Sequence, residues 1–143
     1  MTINGSMVDG IVTSLSENSS FSDLTFVVAY ESEIKPTPIE KPIVAVSVKG
    51  CEIGERLTET LDTGEITTTK SREMLTTLSV DIYLPYSMGG IKGHKIFDRI
   101  ATYFLFTKLL DITKAECGNT DYDKSSEALI LKTQFVFKHI ISS

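Results

Sequence analysis

The stretch Arg72-Glu73-Met74-Leu75-Thr76-Thr77-Leu78-Ser79-Val80-Asp81-Ile82-Tyr83-Leu84 carries the cleanest periodic pattern in the chain. Met74, Thr76, Leu78, Val80, Ile82 and Leu84 alternate with Glu73, Leu75, Thr77, Ser79, Asp81 and Tyr83. A period of two sends the first set to one face of a strand, so this is a long strand with one core face. Pro85 ends it, because proline cannot donate to a strand ladder.

Upstream, Ile43-Val44-Ala45-Val46-Ser47-Val48 is nearly continuous in apolar character. That pattern predicts a second strand covered on both faces and central in its sheet. Between the two strands, Gly50 to about Ser71 is polar and Thr-rich without firm periodicity, and is read as a long loop or an extended β-arm. The run Leu24 to Tyr30 predicts an earlier strand with Leu24, Phe26 and Val28 on one face, and the Pro-containing stretch Glu33 to Pro42 breaks it as a loop. Met7, Val8, Ile11, Val12 and Leu15 recur at three- and four-residue spacing, which makes a helix of Asn4 to Glu17 despite Gly5 and Gly10.

Downstream, Gly89, Gly90 and Gly93 mark a flexible hinge. Ile96, Phe97, Ile100, Ala101, Phe104 and Leu105 then form the stripe of a second helix running to about Leu110. Ile112 to Cys117 is a short strand candidate, and Gly118-Asn119-Thr120-Asp121-Tyr122-Asp123 is rich enough in turn formers to predict a turn. Leu129, Leu131, Phe135 and Phe137 alternate with Ile130, Lys132, Gln134, Val136 and Lys138, giving a closing amphipathic strand. The order is α-β-β-β-α-β-β. An antiparallel meander with both helices on one face is expected, a two-layer α+β fold without βαβ alternation or a doubly wound sheet. Residues 1–143 then make a single α+β domain, with the loop or arm at about 50–71.

Composition agrees. With 143 residues, 41% hydrophobic and 23% charged, the chain has enough apolar material for one core. Its net charge of −5 and lack of a basic run argue against broad phosphate binding, because nonspecific nucleic-acid affinity comes mainly from clustered Lys and Arg, and no specific nucleic-acid binding is expected. No stretch approaches the roughly 20 apolar residues of a membrane span, and Met1-Thr2-Ile3-Asn4-Gly5 does not open a signal peptide, so neither membrane insertion nor standard export is expected. Cys51 and Cys117 form no C-x-x-C pair and are expected to be two buried thiols.

Candidate chemistry is sparse. Asp62-Thr63-Gly64 matches the tripeptide at which aspartic proteases pair two carboxyl groups. Here, however, the charged Glu65 follows, and a turn is the better reading. His94 and His139 lack metal-ligand or triad spacing and are expected at the surface. Gly89 to Lys95 precedes a helix without the spacing of a phosphate-binding loop. Asp121, Asp123 and Glu127 lack the oxygen-ligand ladder of a calcium loop and are expected as a solvated acidic turn. The aromatics Tyr103, Phe104 and Phe106 have no interleaved basic residues, so they are read as core and interface. No metal, cofactor or catalytic residue is assigned, and the chain is not expected to be an enzyme.

Three segments carry a resemblance. They are the arm beginning Gly50-Cys51-Glu52-Ile53-Gly54-Glu55-Arg56, the strand Leu75 to Tyr86, and the Tyr122-Asp123 turn leading into Leu129 to Lys138. With the two helices, this pattern resembles the tail terminator or tail completion proteins of long-tailed bacteriophages and related phage-tail-like particles, over most of the chain. The resemblance implies a structural virion protein assembled in the bacterial cytoplasm. Its subunits would form a hexameric ring that caps the tail tube, with the tube protein and the head-tail connector as partners. The arm Glu52 to Thr69 is expected to reach a neighbouring subunit or the tail tube, because unpaired strand edges and polar arms in ring proteins are satisfied by the next protomer. The candidate interface residues are Glu55, Arg56, Leu57, Leu61, Asp62, Glu65, Asp121 and Tyr122. A neck or head-to-tail connector protein fits the same pattern. A small oligomeric enzyme or ligand-binding module, using the turn near Asp121 or the Gly89 to Gly93 segment, is the alternative of a different class.

Overall fold

A computed structural model describes residues 3–28, 40–60, 64, 66–107, 111–124 and 127–142, of which 3–6, 55–60, 66–71 and 141–142 are described as backbone alone. In order come α1 (Ile3–Glu17), a 3-10 turn (Ser19–Phe21), β1 (Thr25–Val28), β2 (Ile43–Thr60) and β3 (Ile66–Pro85). A second 3-10 turn (Tyr86–Met88), α2 (Ile91–Phe106), β4 (Asp111–Asp123) and β5 (Ala128–Ser142) follow. The five strands form one sheet in the order β1-β2-β3-β5-β4. The class and the order α-β-β-β-α-β-β are those expected from the sequence.

The alternation in β3 reads directly into packing. Leu78, Val80, Ile82 and Leu84 are fully buried, as is Thr76, and Met74 is nearly so. Leu78, Val80, Ile82 and Leu84 meet Val8, Ile11 and Leu15 of α1 and Ile96, Ile100 and Phe104 of α2 in one core, so both helices cover the same face. At about 2 kcal/mol for each fully buried apolar side chain, the α2 stripe contributes roughly 6 kcal/mol. That outweighs the approximately 1 kcal/mol lost by a glycine inside the helix. The hydroxyls of Ser14 and Tyr103 share a 2.8 Å hydrogen bond that ties α1 to α2.

Several expectations are corrected. The sheet is not a pure meander: β1 pairs with β2 in parallel. β3 and β4 both run antiparallel to the β5 between them, so β3-α2-β4 is a single crossover that skips one strand. β2 is an inner strand and β3 the middle one. β2 is nonetheless covered on both faces at its start, because Ile43 and Ala45 join Tyr83, Ala128 and Ile130 in a second buried cluster away from the helices. Val28 lies at the surface at the end of β1, and the loop 31–39 lies outside the described residues.

The Gly118–Asp123 segment is strand rather than turn. It belongs to β4, an edge strand on which polar turn formers face solvent at no desolvation cost, and the reversal comes after it, where Glu127 adopts φ +51°. Two one-residue register shifts, between Ile112 and Lys114 and between Cys117 and Thr120, absorb the mismatch with β5.

Gly93 is no hinge either. It is buried in the first turn of α2, where a Cβ would stand 3.0 Å from Leu84 Cδ1 and 3.5 Å from Leu131 Cβ, so its small size lets the helix sit close to the sheet. The φ of +78° that favours glycine belongs to Gly89. α2 ends at Phe106, and Leu105 and Phe106 are exposed rather than continuing the stripe.

A polar clamp joins α2 to the connection between α1 and β1. Arg99 of α2 donates to both Asp23 carboxylate oxygens, at 3.0 and 2.9 Å, and to the Ser20 carbonyl at 2.6 Å, while its guanidinium lies 5.4 Å from the Phe21 ring centre. The Arg99 hydrogen bonds hold the Asp23 carboxyl below its ordinary value. Because the folded-state value is depressed, the stabilisation is complete above the unfolded value and disappears as pH falls through the folded one. Both side chains are substantially exposed, so solvent screening limits the pair to about 1 kcal/mol. Asp23→Asn is therefore expected to cost at most about 1 kcal/mol at neutral pH. The wild-type advantage should be flat from roughly pH 5 to 8 and vanish in acid, as read by urea unfolding at each pH.

Candidate assembly interface

The segment from Gly50 to Ser71 is an extended β-arm. β2 continues to Thr60 and β3 begins at Ile66, and the two stay paired through Thr58↔Thr68 and Thr60↔Ile66. Gly64 at its tip has φ +85°, a left-handed turn geometry that glycine adopts at no steric cost. Asp62 and Thr63 of the protease-like tripeptide lie outside the described residues.

Pairing on the two sides of this arm is unequal. β5 accompanies β3 as far as Ser71↔Ser142. β1, by contrast, reaches only Val28↔Val46, so among the described residues the outer edge of β2 beyond Val46 has no strand beside it. At the far side of the sheet, the outer edge of β4 likewise has no strand beside it among the described residues. Each open edge presents a row of backbone donors and acceptors, a template for another strand. Register shifts between Val48 and Gly50, Ile53 and Arg56, and Arg56 and Thr58 twist the arm edge.

The expected interface residues fall into two groups. Glu55, Arg56 and Leu57 are on β2 of the arm, with Arg56 opposite Arg72. Leu61, Asp62 and Glu65 lie outside the described residues. Asp121 and Tyr122 are on β4, paired with Ile130 and Leu129. Ile130 is level with Tyr83 and Ile43, and Arg56 lies thirteen residues beyond Ile43 (56 − 43) along β2. At a rise of about 3.3 Å per residue, the two groups are roughly 40 Å apart and form separate surfaces.

Tyr122 does not stand alone. It is exposed and meets Tyr86 edge-to-face with ring centres 6.1 Å apart. Met88 and Ile91, also exposed, follow Tyr86 on the connection into α2. Thr120 Oγ1 donates to the Gly90 carbonyl at 3.4 Å and holds β4 against this connection. Sequence reading missed the grouping because Tyr86 and Tyr122 are far apart in the chain and no periodicity links them.

The sheet face away from the helices is polar beyond its small apolar cluster. Ser47, Lys49, Ser79, Asp81, Lys132 and Gln134 are among the residues lining a depression of about 830 Å³ there. Lys49 Nζ donates to Gln134 Oε1 at 3.1 Å, and Gln134 Nε2 donates to Glu116 Oε1. That Gln134 amide, and next Lys114, lower the Glu116 carboxyl. Ser79 Oγ donates to Asp81 Oδ1 at 3.3 Å. Asp121 and Asp123, considered above as cation ligands, line a neighbouring depression of about 590 Å³ with Asp81, Tyr83 and Lys132. Among the described residues no group of three His, Cys, Asp or Glu is placed to hold a metal ion, and no helix is long and apolar enough to cross a membrane.

The thiols and imidazoles are placed contrary to expectation. Cys51 and Cys117 are free and exposed, because one sits on the arm and the other on the edge strand, beyond the reach of the core. Neither histidine is fully at the surface: His94 is half-buried with Nδ1 3.7 Å from Cys117 Sγ, and His139 is half-buried with Nε2 3.3 Å from Thr76 Oγ1. No protein-family model matches this chain, and no curated protein matches it.

Proposed function

We propose that this chain is a structural subunit of a phage tail or phage-tail-like particle. In this reading it is a tail terminator or completion protein whose ring caps the tube and joins it to the head connector. The observation that carries the proposal is the pair of unlike edges left open among the described residues, the arm edge of β2 and the edge of β4, on one sheet. A closed ring needs two different, mutually complementary surfaces on every subunit, and a sheet with two unlike open edges supplies such a pair. The arm adds reach, and the Tyr86, Met88, Ile91 and Tyr122 surface, roughly 40 Å from it, offers a separate contact for a tube or connector protein.

A ligand-binding module is the second reading, favoured by the 830 Å³ depression with Lys49, Asp81, Lys132 and Glu116 around it. Negative-stain imaging of the purified protein, alone and mixed with tail tubes or tube protein, separates the two. Six-fold rings or capped tube ends are the expected result. A small particle that associates under neither condition overturns the proposal and directs attention to the depression.

A further inference from the structure

The chain carries two exposed thiols, and among the described residues one of them has a partner suited to activating it. Cys117 Sγ lies 3.7 Å from His94 Nδ1. His94 is the fourth residue of α2, in the first turn of the helix, where backbone amides point outward and favour negative charge. Cys117 sits on an open edge strand next to a register shift that inserts one extra residue before Thr120, so its sulfur can be approached without opening the core. Cys51, on the arm opposite Thr76, has no hydrogen-bonded imidazole among the described residues.

We infer that Cys117 is a modification site, a nucleophilic thiol that undergoes exchange with small-molecule disulfides, with His94 as its base. The thiolate is the attacking species in such exchange, and an adjacent imidazole is a recognised means of producing it. With Nε2 protonated, His94 Nδ1 takes the Cys117 proton. The sulfur attacks one sulfur of a disulfide such as oxidised glutathione, a new S–S bond forms as the old one breaks, and the departing thiolate recovers the proton from the imidazolium. One thiol and one disulfide enter and one of each leaves, so no further oxidant is required. This inference does not depend on the assembly reading.

The test uses Cys51 as an internal reference. The intact protein is treated with limiting iodoacetamide at pH 7 and the rate at each cysteine is read by peptide mass spectrometry. Cys117 is expected to react about tenfold faster than Cys51 or more. In His94→Ala the two rates should come within about twofold while the Cys51 rate is unchanged, and added imidazole should restore the Cys117 rate selectively. Oxidised glutathione should leave its adduct on Cys117 and not on Cys51. Equal rates in the wild-type protein, an unaltered Cys117 rate in His94→Ala, no recovery with imidazole, or no glutathione adduct at Cys117 would each overturn the inference.

Discussion

Phe135→Ala is expected to lower the unfolding free energy by about 4 kcal/mol, the largest effect of any single truncation considered. Phe135 is fully buried in β5, with the Phe104 ring edge-on at 5.1 Å and the Phe97 ring at 5.4 Å. It therefore joins α2 to the sheet. Removing it forfeits the transfer free energy of a large aromatic side chain and about 1 kcal/mol of ring-ring interaction, and it leaves a cavity that rigid neighbouring strands cannot close. Against a total stability on the order of 5–15 kcal/mol, such a loss leaves a marginal domain. Urea unfolding reads it as a large fall in midpoint with little change in slope. Ile140→Ala, at an exposed position of the same strand, should stay within about 0.5 kcal/mol. A Phe135→Ala cost below about 1 kcal/mol would mean that α2 does not pack on the sheet as described.

Under the proposed tail-terminator role, deleting residues 58–67 is expected to abolish ring assembly while leaving the domain folded. No member of the main core lies on the arm between Val48 and Leu78 among the described residues. The deletion leaves Leu57 and residues 68–71 to close the hairpin at the Arg56↔Arg72 pair, a length that ordinary hairpin loops cover. Thermal unfolding should therefore stay within a few degrees of the full chain, since a surface loop change alters stability little. Size-exclusion chromatography and imaging should then show a folded subunit that no longer forms rings or caps tubes. Rings of normal size from the deleted protein would remove the arm from the interface. Loss of cooperative unfolding would show instead that the arm supports the fold.

Elements whose residues repeat at a structural period were legible before any contact was known. The alternation from Met74 to Leu84 became the middle strand, with its apolar set buried, and that from Leu129 to Phe137 became the neighbouring strand. The Ile96, Ile100 and Phe104 stripe placed α2, as Val8, Ile11 and Leu15 placed α1. In each case one burial event selects many residues at once, so the pattern is redundant and legible. The remaining features arise from long-range pairing. Gly118–Asp123 became strand because β5 offered it a ladder while solvent tolerated its polar side chains, a long-range partnership that local turn propensity cannot express. Likewise, Gly50–Ser71 became a paired arm because its two halves satisfy one another's backbone, which needs no hydrophobic period. The exposure of both thiols, the meeting of Cys117 with His94 and that of Tyr86 with Tyr122 follow from which strands lie beside which. Strand order and register are set by the whole folded chain, and no local stretch of sequence records them.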